Sequence, residues 1–265
     1  MRCLMLEASS DHRRDATIGR RARPMLGTLV EISVDGVCHA QAFDAAFAAI
    51  EAVEATMSRW REHSDVTRLN RALPGEPVVV APLTRRVLRL ALRLHRASAG
   101  LFDCAIAGTL AHLAIGGDGR VTKREPLAID LGGIAKGEAV DQAVGALRRA
   151  GVRRALVNAG GDLRAFGRGE FRVVLRDPHD PARRAAALCL NDAALASSSA
   201  CYANAPGRSA IVDPRNGQPV LMRHGVTVMA PRCALADALT KVVAVSDDAH
   251  HPLLARFGAQ AWIIH

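Results

Sequence analysis

The densest chemical signal in the chain is Asp130-Leu131-Gly132-Gly133-Ile134-Ala135-Lys136-Gly137, which runs from an apolar strand through a glycine pair into a helix. Glycines let backbone N–H groups approach a ligand, a helix N-terminus carries partial positive charge, and Lys136 can add a full one, so the segment outlines an anion site. A glycine turn that merely packs helix on sheet would look the same. Gly132 and Gly137 have P-loop separation, but Glu138 and Ala139 stand where Lys and Ser/Thr are needed, and no GxGxxG fingerprint occurs here. Asn158-Ala159-Gly160-Gly161-Asp162 repeats the pattern after the next strand, so two turns flanking one helix point to a shared crevice. Ala236-Asp237-Ala238-Leu239-Thr240-Lys241 puts a carboxylate, a hydroxyl and an ammonium on one face of an apolar helix. Two readings follow: an Asp237–Lys241 pair on a solvated face, worth a few tenths of a kcal/mol, or Asp237 as a hard oxygen ligand for Mg²⁺ beside a bound phosphate. Lysine is scarce, at Lys123, Lys136 and Lys241, and two of the three fall in these segments. Ser197-Ser198-Ser199 suits a polar strand end lining a pocket but lacks the GxSxG elbow, and the ten histidines show no HExxH spacing.

These groups need elements to hold them. Val30, Ile32 and Val34 alternate in a strand over Leu26 to Val34, entered through Met25-Leu26-Gly27-Thr28. Phe43, Phe47, Ile50, Val53 and Met57 repeat at helical spacing over Gln41 to Met57. Ser64-Asp65 caps a short turn ending in Arg68-Leu69-Asn70, and Leu83, Val87, Leu90 and Leu94 form a second helical stripe that stops near Gly100. In the middle, a strand over Leu127 to Leu131, a helix from Ile134 to Ala150 and a strand over Arg154 to Val157 read as a βαβ-like unit. Further strands are expected at Phe171 to Leu175, Ala186 to Leu190, Ile211 to Asp213, Pro219 to Met222, Val226 to Met229 and Ala261 to Ile264. Asn216-Gly217 reads as a hairpin turn and Cys233 to Val245 as an apolar helix.

With 265 residues, 49% hydrophobic and 23% charged, the chain can bury an ordinary core, which rules out disordered, collagen-like and coiled-coil classes. No apolar run approaches the roughly 18 residues of a membrane span. The basic start, 1–24, shows no signal-peptide core, so a cytoplasmic protein is expected as written, or a periplasmic one if the start is mis-assigned. A formal charge of +9 implies attraction to something anionic without distinguishing nucleic acid, membrane or a phosphorylated small molecule. Nucleic-acid binding rests on that charge alone, and aromatics at 3% leave few rings on which bases could stack. The six cysteines form no CxxC and read as buried reduced thiols.

Taken in order, these segments resemble the ApbE family of FAD:protein FMN transferases, once called thiamine biosynthesis lipoproteins. Met25-Leu26-Gly27-Thr28 is similar to the family's opening MGT, and Met57-Ser58-Arg59-Trp60 with Arg68-Leu69-Asn70 to its MSxY/W and RLN segment. Gly100-Leu101-Phe102-Asp103 is similar to GxFD, Asp130 to Gly137 with Asp141 to DLGGIAKGxxxD, and Asn158 to Asp162 to NxGGD. Asp213 to Gly217 is similar to DPRTG, and Ala236-Asp237-Ala238 to ADA. The resemblance covers nearly the whole chain. It implies an α/β (α+β) fold of mixed sheets flanked by helices, with an FAD crevice between two lobes. One domain would span 25–265 behind a flexible basic segment, 1–24.

By position, the resemblance places Met25, Trp60, Leu101, Phe102, Asp103, Asp130, Lys136 and Ile211 against FAD, with Trp60 stacking on a ring system. Gly133 (through its carbonyl), Asp237 and Thr240 would hold Mg²⁺. It implies transfer of FMN from FAD to a Thr or Ser hydroxyl of a redox partner protein, with release of AMP. A non-catalytic FAD-binding protein and an FAD pyrophosphatase of the same fold are the alternatives. The chain departs from the family at three points. Lys241 stands where Thr is usual, so that either Thr240 turns inward or Lys241 supplies charge in place of one ligand. Ser209-Ala210 stand before Ile211 where His is frequent, leaving Asp213 or a metal-bound hydroxyl as base beside Asp237. Cys3 follows no apolar segment, so a lipobox is not visible.

Overall fold

The computed structural model describes residues 4–6, 18–36, 40–180, 182–199 and 211–265. Val30, Ile32 and Val34 are buried, as alternation along a one-sided strand demands. Their strand, Thr28–Asp35, belongs to a seven-stranded sheet. Its order is Gln260–Ile264, Gly225–Ala230, Ala194–Ser198, Asp162–Phe166, Ala155–Ala159, Thr28–Asp35 and Ile18–Met25. Each neighbouring pair in it is antiparallel.

Two expectations change. Ile18 to Pro24, assigned above to a flexible segment, is most of an edge strand whose residues pair from Ile18↔Asp35 to Met25↔Thr28. Its arginines lie on an exposed edge, where charge discourages pairing with another chain. Nor is there a βαβ unit around Ile134 to Ala150. Ala128–Ile129 pairs instead with Ala105–Ala107 in a separate two-stranded sheet, while Ala155–Ala159 is central in the large one. Arg13, Arg14, Cys3, Cys38, Cys201, Ser209 and Ala210 lie outside the described residues.

The helices are α1 (Ala40–Met57), α2 (Asp65–Arg71), α3 (Pro82–Ala97), α4 (Ala135–Arg149), α5 (Cys233–Ser246) and α6 (Pro252–Arg256). Helices α4 and α5 cover one face of the large sheet, with α1 packed along α4. On the opposite face Leu156, Leu163, Ala165 and Leu195 form a second core with Val173, Leu175 and Leu190 of a three-stranded sheet. Ser64 caps α2 as expected, accepting from the Thr67 N–H at 3.0 Å. The Arg68-Leu69-Asn70 segment proves structural. The Asn70 amide pairs with Ile129 like a neighbouring strand, at 2.8 and 2.9 Å, and so fixes the residue before Asp130. Lys123 is structural too, donating to the Asn70 and Leu127 carbonyls. Among the described cysteines, Cys104 and Cys233 are buried free thiols and Cys189 is exposed.

Helices α4 and α5 approach too closely for a side chain at 137. A Cβ on Gly137 would sit 2.3 Å from the Cys233 carbonyl oxygen and 2.8 Å from Ala234 Cα, both rigid backbone. Gly137→Ala should therefore lower the unfolding free energy by about 3 kcal/mol. On the same helix, Gly145→Ala meets only the movable tip of Arg149 and should stabilise by up to about 1 kcal/mol. Urea titrations of the two variants check the contrast.

Candidate functional site

The close crossing lets two carboxylates exchange between helices. Asp237 of α5 accepts the Gly137 N–H in the first turn of α4 at 3.1 Å. Asp141 of α4 accepts the Cys233 and Ala234 N–H groups that open α5, at 3.0 and 3.1 Å. Each helix thus satisfies orphan N–H groups of the other and places negative charge at a positive helix end. Arg164 completes the Asp141 site at 2.6 Å.

Beside this junction opens a cleft of about 1130 Å³. Both glycine turns reach it, through Gly132, Gly133 and Gly160, as do Lys136 and Lys241. The wall opposite is the 99–109 segment, and Ser197 to Ser199, Ile211, Pro214 and Arg215 close another side. Gly160 has φ +60°, and an added Cβ would strike Thr28 Oγ1 at 2.4 Å, so the second turn must be glycine to lie under Thr28. Thr28 follows a two-residue hairpin in which Leu26 and Gly27 both have positive φ.

Of the residues expected against FAD, Leu101, Phe102, Asp103, Asp130, Lys136 and Ile211 line the cleft; Met25 and Trp60 do not. Met25 is partly buried, packed against the core. Trp60 is 82% exposed, with the Arg59 guanidinium 4.2 Å from its ring centroid. Arg59 in turn pairs with Asp130 at 2.9 Å. Phe102 and Asp103 are mostly inside the wall. The Asp103 carboxylate accepts from Ala105 N, Thr109 Oγ1 and Leu110 N, holding the loop in shape. Asp103 also lies 3.3 Å from His95 Nδ1, which is 3.1 Å from the Phe102 carbonyl oxygen. A ring nitrogen facing a carbonyl carries the proton, which leaves Nε2 as the basic nitrogen of the neutral ring.

Asp213, expected as a catalytic base, is poorly placed for it. Arg215 engages both of its oxygens at 2.8 to 3.2 Å, and these hydrogen bonds hold the carboxyl below its ordinary range despite some burial. Asp237, the other expected catalytic group, is fully buried behind the cleft surface.

The floor is built from two crossed ion pairs, Lys136 with Asp162 and Lys241 with Asp237. Burial opposes charge on Lys136, but Asp162 and Asp237 outweigh it and hold the ammonium above the lysine range. Burial and the nearby Asp237 push the Asp162 carboxyl up to about 6, against the pull of Lys136 and Lys241. For Asp237 burial also disfavours ionisation, but Lys241, Lys136 and the Gly137 N–H prevail and keep it below the ordinary range. Burial first, and then neighbouring carboxylates, raise the Cys104 and Cys233 thiols, leaving them unreactive.

The expected Mg²⁺ ligands do not fit a divalent ion in this arrangement. Asp237 receives Lys241 Nζ on Oδ1 and on its carbonyl oxygen, the latter at 3.0 Å, and Gly137 N–H on Oδ2. Thr240 does turn inward, but its hydroxyl bonds the Asp237 carbonyl at 2.7 Å and Ser198 Oγ at 2.8 Å. The Lys241 methylenes lie against Gly133, where a Cβ would stand 3.3 Å from Cε. The Lys241 ammonium thus occupies Asp237, with its methylenes against Gly133.

Asp162, Arg59, His95 and Ser198 were not among the expected site residues. Asp162 was signalled as the carboxylate ending the second glycine turn, and Ser198 by its serine run. A lone histidine on an amphipathic helix gives no signal.

An antiparallel sheet backed by helices, with a charged glycine-lined cleft at their junction, defines an α+β class of protein with a candidate ligand cleft. The model of the ApbE family matches residues 26–124 and 110–263, and the chain belongs to that family. An FAD:protein FMN transferase of Rhodobacter capsulatus is 29% identical over 89% of this chain and 53% of its own length. One from Vibrio cholerae serotype O1 is 28% identical over 72% of this chain and 69% of its own. The chain thus spans about half the length of the first of these relatives. Among solved structures, the ApbE protein of Thermotoga maritima superposes with a TM-score of 0.84 at 23% identity, over 93% of this chain and 94% of that one. The apo flavinyl transferase ApbE of Pseudomonas stutzeri gives 0.81 at 23%, over 94% and 92%. The fold is therefore that of the ApbE structures, a mixture of helices and several sheets.

Removing Lys136 should expose what it neutralises. Lys136→Met is expected to cost about 3–5 kcal/mol of unfolding free energy by leaving Asp162 buried without its partner. Asp162→Asn in the same chain should recover most of that loss, as a denaturant double-mutant cycle would measure.

Proposed function

We propose that this protein is an FAD:protein FMN transferase, carrying FMN from FAD to a Thr or Ser hydroxyl of a redox protein with release of AMP. The observation that carries the reading is the cleft of about 1130 Å³ in which two glycine turns, the start of α4 and the ammoniums of Lys136 and Lys241 converge. This is the arrangement a dinucleotide's diphosphate requires, since amide dipoles and fixed cations offset its charge. The names of the relatives support the same chemistry.

In this reading the acceptor oxygen attacks the phosphorus on the riboflavin side of the diphosphate. A new P–O bond forms, the bridging P–O bond breaks, and AMP leaves with the electron pair. Lys136 and Lys241 offset charge that builds on the bridging and non-bridging oxygens. The acceptor's proton goes to His95 Nε2, because His95 is the one histidine lining the cleft among the described residues and Asp103 orients its ring. Mg²⁺ is expected from the family resemblance, but the residues here give it no seat while Lys241 is in place.

The test is incubation with FAD and a hydroxyl-bearing redox acceptor, read as flavin fluorescence on a denaturing gel and AMP by chromatography. Equal amounts of AMP and protein-bound flavin support transfer. AMP and FMN without labelled acceptor would mean a pyrophosphatase, and FAD binding without turnover a flavin carrier. His95→Ala should slow transfer by about 100-fold or more, within the usual range for a lost general base, while leaving FAD affinity nearly unchanged.

A further inference from the structure

We infer that Lys241 is a built-in cation that takes the place of a divalent metal, so that this cleft receives an anionic ligand without one. Asp237 is fully buried, and its carboxylate accepts from Lys241 Nζ on one oxygen and from the Gly137 N–H on the other. A carboxylate in that position needs a compensating positive charge, and two sources are physically available: a metal drawn from solution or a side chain. Here the side chain lies one helical turn on. Lys241 folds back along α5, and its ammonium reaches both the carboxylate and the backbone carbonyl of Asp237. Hard oxygen atoms of this kind would otherwise be offered to a cation.

Three neighbouring features suit an ammonium. Gly133 has no side chain, and the space beside it holds the Lys241 methylenes. Thr240 directs its hydroxyl to the Asp237 carbonyl and Ser198. The Gly137 N–H engages the second carboxylate oxygen. A divalent ion entering among these groups would meet the Lys241 charge at contact distance, and a protonated ammonium has no lone pair with which to ligate it. Lys241 nevertheless lines the cleft beside Lys136, so N–H groups not directed at Asp237 can meet a ligand's phosphate oxygens.

The second measurement below rests on the reading of the cleft as an FAD site; the first does not. Full-length protein would be titrated with Mn²⁺, with free metal followed by electron paramagnetic resonance, and FAD affinity would be measured by flavin fluorescence in chelator and in Mg²⁺. The wild type should show no saturable Mn²⁺ binding and the same FAD affinity in both buffers. Lys241→Thr should gain saturable Mn²⁺ binding, and its FAD affinity should fall about 10-fold or more on chelation. Saturable Mn²⁺ binding by the wild type, or a chelator-induced loss of its FAD affinity of about 10-fold, would overturn the inference. Because both decisive measurements use the wild type, a Lys241→Thr chain that fails to fold does not remove the test. If FAD binds under neither condition, the flavin assignment fails, and the Mn²⁺ titration still decides the role of Lys241.

Discussion

The exchange of carboxylates between α4 and α5 is the constraint on which the site depends. Gly137 allows the helices to touch backbone to backbone, and that contact brings Asp237 to the first turn of α4 and Asp141 to the first turn of α5. Neither carboxylate could be buried there without the orphan N–H groups of the other helix, and neither helix start could be dry without a carboxylate. Cleft, helix termini and charged floor therefore form together. A shift of one helix along the other would remove all three at once.

The floor follows from that junction. Bringing Asp237 inside requires a cation near it, and Asp162, at the start of the next strand, brings a second negative charge that requires another. Lys136 and Lys241 meet both demands, each pinned to one carboxylate while its cleft-facing side stays partly open to solvent. The paired floor is nearly neutral overall, yet its ammonium side faces the cleft and its carboxylate side faces the protein. That polarity, together with the N-terminus of α4, would suit the proposed anionic ligand without a large net charge to destabilise the fold.

Much of this was legible in the sequence because the signals are local. The alternation of Val30, Ile32 and Val34, the α1 stripe, the Ser64 cap and the Asn216-Gly217 hairpin each depend on residues within a turn or two, and they fold as their spacing dictates. The two glycine turns were readable as converging because a single helix separates them. What could not be read is long-range pairing. Nothing near Ala128 says that its strand joins Ala105–Ala107 instead of the large sheet. Nothing in an arginine-rich start announces the edge strand Ile18–Met25, whose partners become evident only when the sheet is assembled. The chemistry of single residues was less legible where a partner changes it. Asp213 has the acid needed of a base, but Arg215, two positions on, spends its lone pairs. The Asp237–Lys241 spacing was recognisable as a helical ion pair, but its full burial on the Asp237 side is set by α4, about a hundred residues away in the chain.

A tethered ammonium and an exchangeable metal are not equivalent ways to neutralise a diphosphate. The tethered charge has no concentration dependence and loses no translational freedom on each binding event, which favours ligand capture. It carries one unit of charge instead of two and cannot accept an oxygen lone pair, so it polarises a bridging P–O bond less than a divalent ion in contact would. On the proposed reading the deficit would be met by Lys136 and the start of α4, which face the same cleft. Neutralisation would then be spread over three modest sources fixed by one helix crossing, and geometric precision at Gly137 would take on the role that charge density has in a metal site.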